Sequence, residues 1–336
     1  MFAIDFCSYF YKNKTKIMDF FNRSNNHLKT DSNTGFGDNA ANYGGRFINK
    51  NGTSNIEKRG VSWLDKISWF HTMLSLPRWK FIMVVVLFFI IANLIFATIY
   101  YLVGVEHLNG MTGVTESEKF AQAYFFSAQT FTTVGYGHIS PSGFLTSTVA
   151  ATEALFGLLA FALATGLLYG RFSKPTAHIK FSGNAIIAPY KEGTALMFRI
   201  SPFKNTNLIE AEVKSTLALI LENDGVRTNK FFPLKLEVEK ITALTLSWTI
   251  VHVIDEQSPF YNLKEQDYIN TKGEIIIYVK AFDEMFCSTV SIRSSYTFDE
   301  IVYGAKFQLM YHHNHANSTT ILELDKLNSF DRMILD

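Results

Sequence analysis

Between Phe131 and Pro141 the chain reads FTTVGYGHISP. Gly135 and Gly137 bracket Tyr136, Thr132, Thr133 and Val134 come just before, and no charge appears until His138. The chemistry open to such a stretch lies in its backbone. Glycine takes positive φ without steric cost, so Gly135 and Gly137 let successive carbonyls of an extended strand face one side. A row of peptide oxygens from Thr133 to Gly137, lining a water-filled path, can replace the hydration shell of a cation, with the Thr133 hydroxyl at its inner end.

The flanking segments set the depth at which this row would sit. Phe81 to Val105 carries no formal charge, with Asn93 and Thr98 as its notably polar residues. As a helix it reaches roughly 37 Å, enough to cross a hydrocarbon core of about 30 Å with some tilt. Gly143 to Gly170 is a second apolar run, broken by one acid, Glu153. Non-helical backbone between two spans survives only where protein buries it or where it lines a water-filled path. Glu118 to Phe131 is long enough for a half-length helix, whose C-terminal partial negative charge would favour a cation at the inner end of the row.

Charge placement orients the spans. Arg59, Lys66, Arg78 and Lys80 precede the first, and Arg171, Lys174 and Lys180 follow the second. The connector holds Glu106, Glu116 and Glu118 against Lys119. The positive-inside bias then places both termini in the cytoplasm. A net charge of +1 over 336 residues gives no sign of a nucleic-acid partner. The charged fraction of 18% is low for a soluble chain. Cys7 and Cys287 stand alone, so neither a disulfide framework nor a zinc site follows. No nucleophile–base arrangement or phosphate loop appears, which argues against an enzyme. The N-terminal MFAIDFCSYFYK has Asp5 and no basic leader, unlike a signal peptide.

Residues 1–44, rich in Asn, Ser and Gly, are expected to be disordered and cytoplasmic. Residues 62–77 predict an amphipathic helix on the inner membrane surface. Trp63, Ile67, Phe70 and Leu74 share one face, Ser62 with Asp65 caps the start, and Pro77 ends it. A two-span hairpin occupies 78–173. From 174 to 336 the texture changes to short alternating runs such as ALMFRI, EAEVKSTLALIL and EIIIYVKAF, separated by turns at Ser182-Gly183-Asn184 and Lys191-Glu192-Gly193. That pattern predicts an all-β sandwich.

Thr133-Val134-Gly135-Tyr136-Gly137, after a short helix and between two spans, is identified as the potassium-channel signature. From Gly45 to Tyr311 the chain resembles the inward-rectifier potassium channel family. Gly45 to Gly52 is similar to its N-terminal strand (segment 45–61), and Arg78-Trp79-Lys80 to the start of its outer helix. Trp248 to Pro259 (WTIVHVIDEQSP) and Arg293-Ser294-Ser295-Tyr296 are specific to its soluble domain. The resemblance implies a fold that joins membrane α to soluble all-β. A two-transmembrane-helix pore has outer helix 79–105, re-entrant pore helix 119–131, filter 132–137 and inner helix 143–171. A cytoplasmic immunoglobulin-like β-sandwich follows. It also implies passive potassium conduction across the plasma membrane by a C4 homotetramer, in which three identical subunits complete the filter. Potassium ions in the filter would be the bound species, with no other cofactor.

Departures from the family narrow this further. No cysteines flank the filter, which favours the prokaryotic branch and hence the bacterial inner membrane. Gln129 stands where the family often has a pore-helix glutamate, and no arginine follows Gly137. The brace behind the filter must then come from elsewhere. Glu153 either supplies it by a hydrogen bond, with Thr132 as partner, or forms a pore-facing cation site. Ala154, Leu158, Phe161, Thr165 and Tyr169 recur at helical spacing as the pore face, with Gly157 and Gly166 as hinges. Phe161 sits where strongly rectifying relatives carry an acid, which argues against strong rectification. Tyr169 falls at the bundle crossing, as a closing ring.

Glu284-Met285-Phe286-Cys287-Ser288 matches the family's cytoplasmic constriction loop, with Asp283 as an addition; Glu222 or Asp224 would line the vestibule. Arg78, Trp79, Lys80, Arg171 and Lys174 would meet anionic phospholipid headgroups, at about 1 kcal/mol per basic residue. His312-His313-Asn314-His315 reads as a polar strand end. Two alternatives stand beside the channel: a membrane-anchored ligand sensor and a weakly selective cation channel.

Overall fold

The computed structural model describes residues 30, 35, 46–60, 62, 68–223, 226–314 and 318–335. They fall into two units, Lys58–Lys174 and the combination of Met1–Glu57 with Pro175–Asp336.

The first unit is helical. Helix α1 (Trp69–Ser75) begins later than the expected Ser62. Ser68 precedes it without a side-chain cap, and Trp63, Asp65 and Ile67 lie outside the described residues. Pro77 separates α1 from α2 (Arg78–Val103), which ends at Gly104 with φ 115°. α3 (Glu116–Phe131) starts ahead of the expected Lys119, because Thr115 and Glu118 form a capping box. The Thr115 hydroxyl accepts from Glu118 N at 3.3 Å, and the Glu118 carboxylate accepts from Thr115 N at 3.1 Å. α4 (Phe144–Phe172) follows Gly143. α2 and α4 are long and apolar enough to cross a membrane.

Two short strands close the connector. β1 (Leu108–Asn109) pairs antiparallel with β2 (Ser140–Pro141), and Ser142 N donates to His107 O at 2.8 Å. The segment from α3 to β2 is thereby held at both ends. The interior of the unit is built on Ala97, Tyr100, Leu108, Ala123, Phe126 and Ala150. Small residues at these positions let helix backbones approach, which matters where lipid removes the hydrophobic drive between helices. Ile82, Phe88, Ile91 and Ile95 are exposed on α2, as a lipid-facing helix requires.

The second unit is a β-sandwich. One sheet runs β11 (Ser288–Thr297), β10 (Gly273–Asp283), β6 (Leu208–Asn223), β7 (Val226–Leu234), with β8 (Lys240–Ala243) also on β6. The other runs β12 (Ile301–Tyr303), β4 (Ala185–Tyr190), β5 (Gly193–Pro202), β3 (Ile179–Phe181), with β9 (Trp248–Ile254) also on β5. Two small pairs, β13 (Ala305–Phe307) with β16 (Phe330–Arg332) and β14 (Tyr311–Asn314) with β15 (Thr319–Leu322), complete it. Leu196, Phe198 and Ile200 from one sheet and Leu217, Ile275, Ile277 and Val279 from the other form the core. Each such side chain stabilises the fold by about 1.5–3 kcal/mol.

β4 and β7 are absent from the alternating runs in the sequence. The first four positions of β4 are all buried, so no period of two marks it. A short helix, α5 (Glu265–Asn270), precedes β10. The N-terminal segment expected as a strand is a tight turn with a single bridge, Ile48 to Ser54. The backbone N–H groups of Phe47 and Ile48 both donate to the buried Glu274 carboxylate, at 2.5 and 3.0 Å. That clamp fixes the segment without a strand ladder.

Candidate ion-conduction site

The FTTVGYG stretch leaves the end of α3 by turning its amides back. Thr132 N donates to Ala128 O at 3.2 Å and Thr133 N to Thr130 O at 3.0 Å. Val134 N and Gly135 N both donate to Gln129 O, at 2.9 and 3.3 Å. Gln129 thus holds the segment through its carbonyl. No carbonyl from Thr133 to Gly137 accepts a hydrogen bond from another described residue. The row of oxygens is left free for another partner.

Gly135 and Gly137 have φ of 51° and 80°. Thr133 has φ of 60°, which sequence reasoning missed. A β-branched residue there costs roughly 1–2 kcal/mol, and the backbone bond to Thr130 O is part of what holds it. Val134 and Tyr136 are exposed in the single chain, at 52% and 79%.

Behind the segment, Glu153 is fully buried. Its carboxylate accepts from the Tyr100 hydroxyl at 2.6 Å and from the Ser127 hydroxyl. Ser127 also lies 3.0 Å from Asn93 Oδ1. The acid therefore ties α4 to α2 and α3. Thr132 is not its partner: the Thr132 hydroxyl donates to Ala128 O at 2.7 Å and closes the end of α3. Nor does Glu153 face outward as a cation site, because its own chain's helices enclose it.

Below Thr133 a cavity of about 360 Å³ is lined by Thr132, Thr133, Leu158 and Phe161, among others. It brings the inner end of the carbonyl row together with two residues of the expected pore face. Leu158, Phe161, Thr165 and Tyr169 are exposed and Ala154 is half-buried. α4 runs unbroken through Gly157 and Gly166. A Cβ at Gly157 would lie 2.0 Å from Phe131 O, whereas one at Gly166 would meet open space. Gly157 is needed for the close crossing of α3 and α4, a reason beyond flexibility.

The profile of the inward rectifier potassium channel C-terminal domain matches residues 179–332, and that of the ion channel family matches residues 84–174. Inward rectifier potassium channel Kirbac3.1 of Paramagnetospirillum magnetotacticum is 34% identical over 266 residues, covering 78% of this chain and 88% of its own. The chain belongs to the inward-rectifier potassium channel family. It is prokaryotic in type, a channel and not an enzyme. More distant members include irk-1 of Caenorhabditis elegans and the G protein-activated inward rectifier potassium channel 1 of Bos taurus, each 26% identical. The chain spans 56% of the length of each of these two.

The basic residues at the ends of the channel's spans divide. Arg78, Trp79, Lys80 and Lys174 are exposed, with Lys80 Nζ 5.7 Å from the centre of the Trp79 ring. Arg171 does not present its charge in the same way. Its guanidinium donates to Met73 O at 2.6 Å and Leu76 O at 2.7 Å, and lies 4.6 Å from the Phe81 ring centre. It caps the carbonyl end of α1, which sequence spacing could not foretell.

In the β unit the constriction-loop residues form the β10–β11 hairpin. Asp283 pairs with Ser288, and Glu284, Met285, Phe286 and Cys287 make the exposed tip. Asp283 is buried, and its carboxylate accepts from Met285 N at 2.9 Å and Phe286 N at 3.3 Å. This residue organises the turn, and an Asp two residues ahead of a hairpin tip is the signal that finds it. Cys287 takes φ 45°. Asp224 and the side chain of Glu222 lie outside the described residues. His312 and His313 sit on β14, His315 lies outside the described residues, and no metal-binding group of three occurs among those described.

Proposed function

We propose that four copies of this chain surround a common axis and conduct potassium passively through a pore formed by residues 78–173. The observation that carries this reading is the free carbonyl row from Thr133 to Gly137, with its positive-φ glycines. Four such rows would replace the water around a potassium ion. Gln129, through its carbonyl, and Glu153, through Tyr100 and Ser127, brace the row from behind, with Thr132 closing the pore helix.

Along the inner helix, Ala154, Leu158, Phe161, Thr165 and Tyr169 line the path, and Tyr169 closes it by sterics and dewetting. Gly166, with open space around it, is the place where the helix can bend. The loop Glu284 to Ser288 forms a second constriction, with Glu284 raising the local cation concentration. Both termini face the cytoplasm, supported by the basic residues outside the spans. Arg78, Lys80 and Lys174, beside Trp79, attract anionic phospholipid headgroups, while Arg171 serves the α1 cap.

Potassium and sodium flux from the purified protein in liposomes tests the reading. Potassium flux well above sodium flux is expected. Equal fluxes would leave a weakly selective cation channel, and no flux in any lipid mixture would leave a membrane anchor for the β-sandwich.

A further inference from the structure

A second cavity, of about 530 Å³, lies within the β unit beside α5, the turn Phe298–Glu300 and the start of β10. Its size falls in the range of small-molecule sites, about 300–1,000 Å³. Tyr268 lines it and is only 5% exposed. The ring packs against Phe298 at 5.4 Å, Phe260 at 6.1 Å and Tyr303 at 6.1 Å between centres. Yet the Tyr268 hydroxyl has no hydrogen-bond partner among the described residues. Burial pushes this phenol above its usual range, so the hydroxyl keeps its proton. That hydroxyl is open to the cavity, and its oxygen can accept a hydrogen bond from a donor placed there.

The charges around the cavity indicate the kind of ligand. Arg46, on the wall, is engaged with Glu300 at 2.9 Å. The Glu274 carboxylate is engaged by the amides of Phe47 and Ile48. Glu265 and Asp299 are exposed on the lining, against Lys272. The remaining balance is negative, and Tyr268, Phe298 and Tyr303 supply aromatic surface. Aromatic rings and carboxylates together favour a cation with an apolar body.

We propose that this cavity binds a protonated organic amine. Its ammonium donates to the Tyr268 hydroxyl, its body lies against Phe298 and Tyr303, and Glu265 and Asp299 balance its charge. None of the residues lining this cavity is among those proposed for conduction.

The test uses the full-length channel in detergent, titrated calorimetrically with phenethylamine and with its neutral counterpart phenethyl alcohol. Saturable amine binding is expected, about tenfold tighter than the alcohol. Tyr268→Phe keeps the ring and should weaken amine binding by about three- to tenfold. Glu265→Gln with Asp299→Asn, both on exposed side chains, should weaken it by about tenfold and remove its salt dependence. If Tyr268→Phe fails to fold, the charge variant decides alone. Absent saturation, equal binding of amine and alcohol, or binding unchanged in every folded variant would overturn the proposal. The last result would place the amine elsewhere, the pore included.

Discussion

The Tyr100 hydroxyl donates to the Glu153 carboxylate at 2.6 Å, across 53 residues of sequence. With Ser127 on the other oxygen, this acid joins the outer, pore and inner helices at one buried point. With Gln129 on α3 and no arginine after Gly137, these hydroxyls on Glu153 are the brace proposed for the Thr133–Gly137 row.

Replacing Glu153 by alanine leaves the Tyr100 hydroxyl buried without this acceptor, at about 1–3 kcal/mol, while the Ser127 hydroxyl keeps Asn93 Oδ1 at 3.0 Å. The variant should melt lower and lose potassium-over-sodium discrimination in liposome flux by at least about tenfold. Ser127→Ala should show a smaller loss. Selectivity equal to that of the parent would refute the brace.

Gly157→Ala forces a methyl to within 2.0 Å of Phe131 O, and the contact is with backbone. The crossing must open, at roughly 1–3 kcal/mol or more. Reduced melting temperature and disturbed conduction are expected. Gly166→Ala meets no such contact and should hold or slightly raise helix stability, by up to about 1 kcal/mol. Comparing the two by thermal melting separates packing from flexibility.

Tyr169→Ala shortens the side chain proposed to close the path. Resting potassium flux should rise severalfold; an unchanged rate would remove Tyr169 from the gate.

Arg171→Gln loses the paired donors to Met73 O and Leu76 O. Faster hydrogen exchange across Trp69–Ser75 is expected, with little change in binding to anionic vesicles. Neutralising Arg78 and Lys80 should do the reverse. If Arg171→Gln weakened vesicle binding as much as the pair, Arg171 would rejoin the lipid-facing set.

His252 carries the pH prediction. Its Nδ1 bonds Lys235 O at 2.7 Å and its Nε2 bonds Ser258 Oγ at 2.8 Å. Burial holds its pKa below the ordinary 6.5, against smaller opposing effects of Lys235 O and Asp255. The unfolded chain then binds the proton more readily than the folded one. The stability linked to this histidine is present above about pH 6.5 and is lost as pH falls below it. Melting temperature of the full-length protein between pH 7.5 and 5 should fall, and His252→Gln should flatten the part of that slope that this residue causes. Parallel slopes in the two proteins would assign the acid sensitivity elsewhere.

Much of the channel is legible in the sequence. The stretch from Thr133 to Gly137 is local, since Gly135 and Gly137 owe their positive φ to missing side chains, and the two spans announce themselves by length and scarcity of charge. β10 and β6 show alternation because one face of each meets the core. β4 escaped because its buried run carries no alternation, and the N-terminal turn escaped because a clamp by Glu274 leaves no periodic mark. Thr133 escaped because threonine ordinarily avoids the conformation that the end of α3 imposes on it.

Sequence by itself determined the family, the two glycines that take positive φ at 135 and 137, and the presence of Glu153 as an acid that needed partners. Tertiary structure alone decided that those partners are Tyr100 and Ser127, that Arg171 caps α1, and that Gly157 meets Phe131 O. Residue types and spacing along one chain segment specify which face is apolar and where the backbone can turn. The rotation and closeness of one helix against another depend on the summed packing of all of them. Only that packing selects which distant hydroxyl a buried carboxylate can reach.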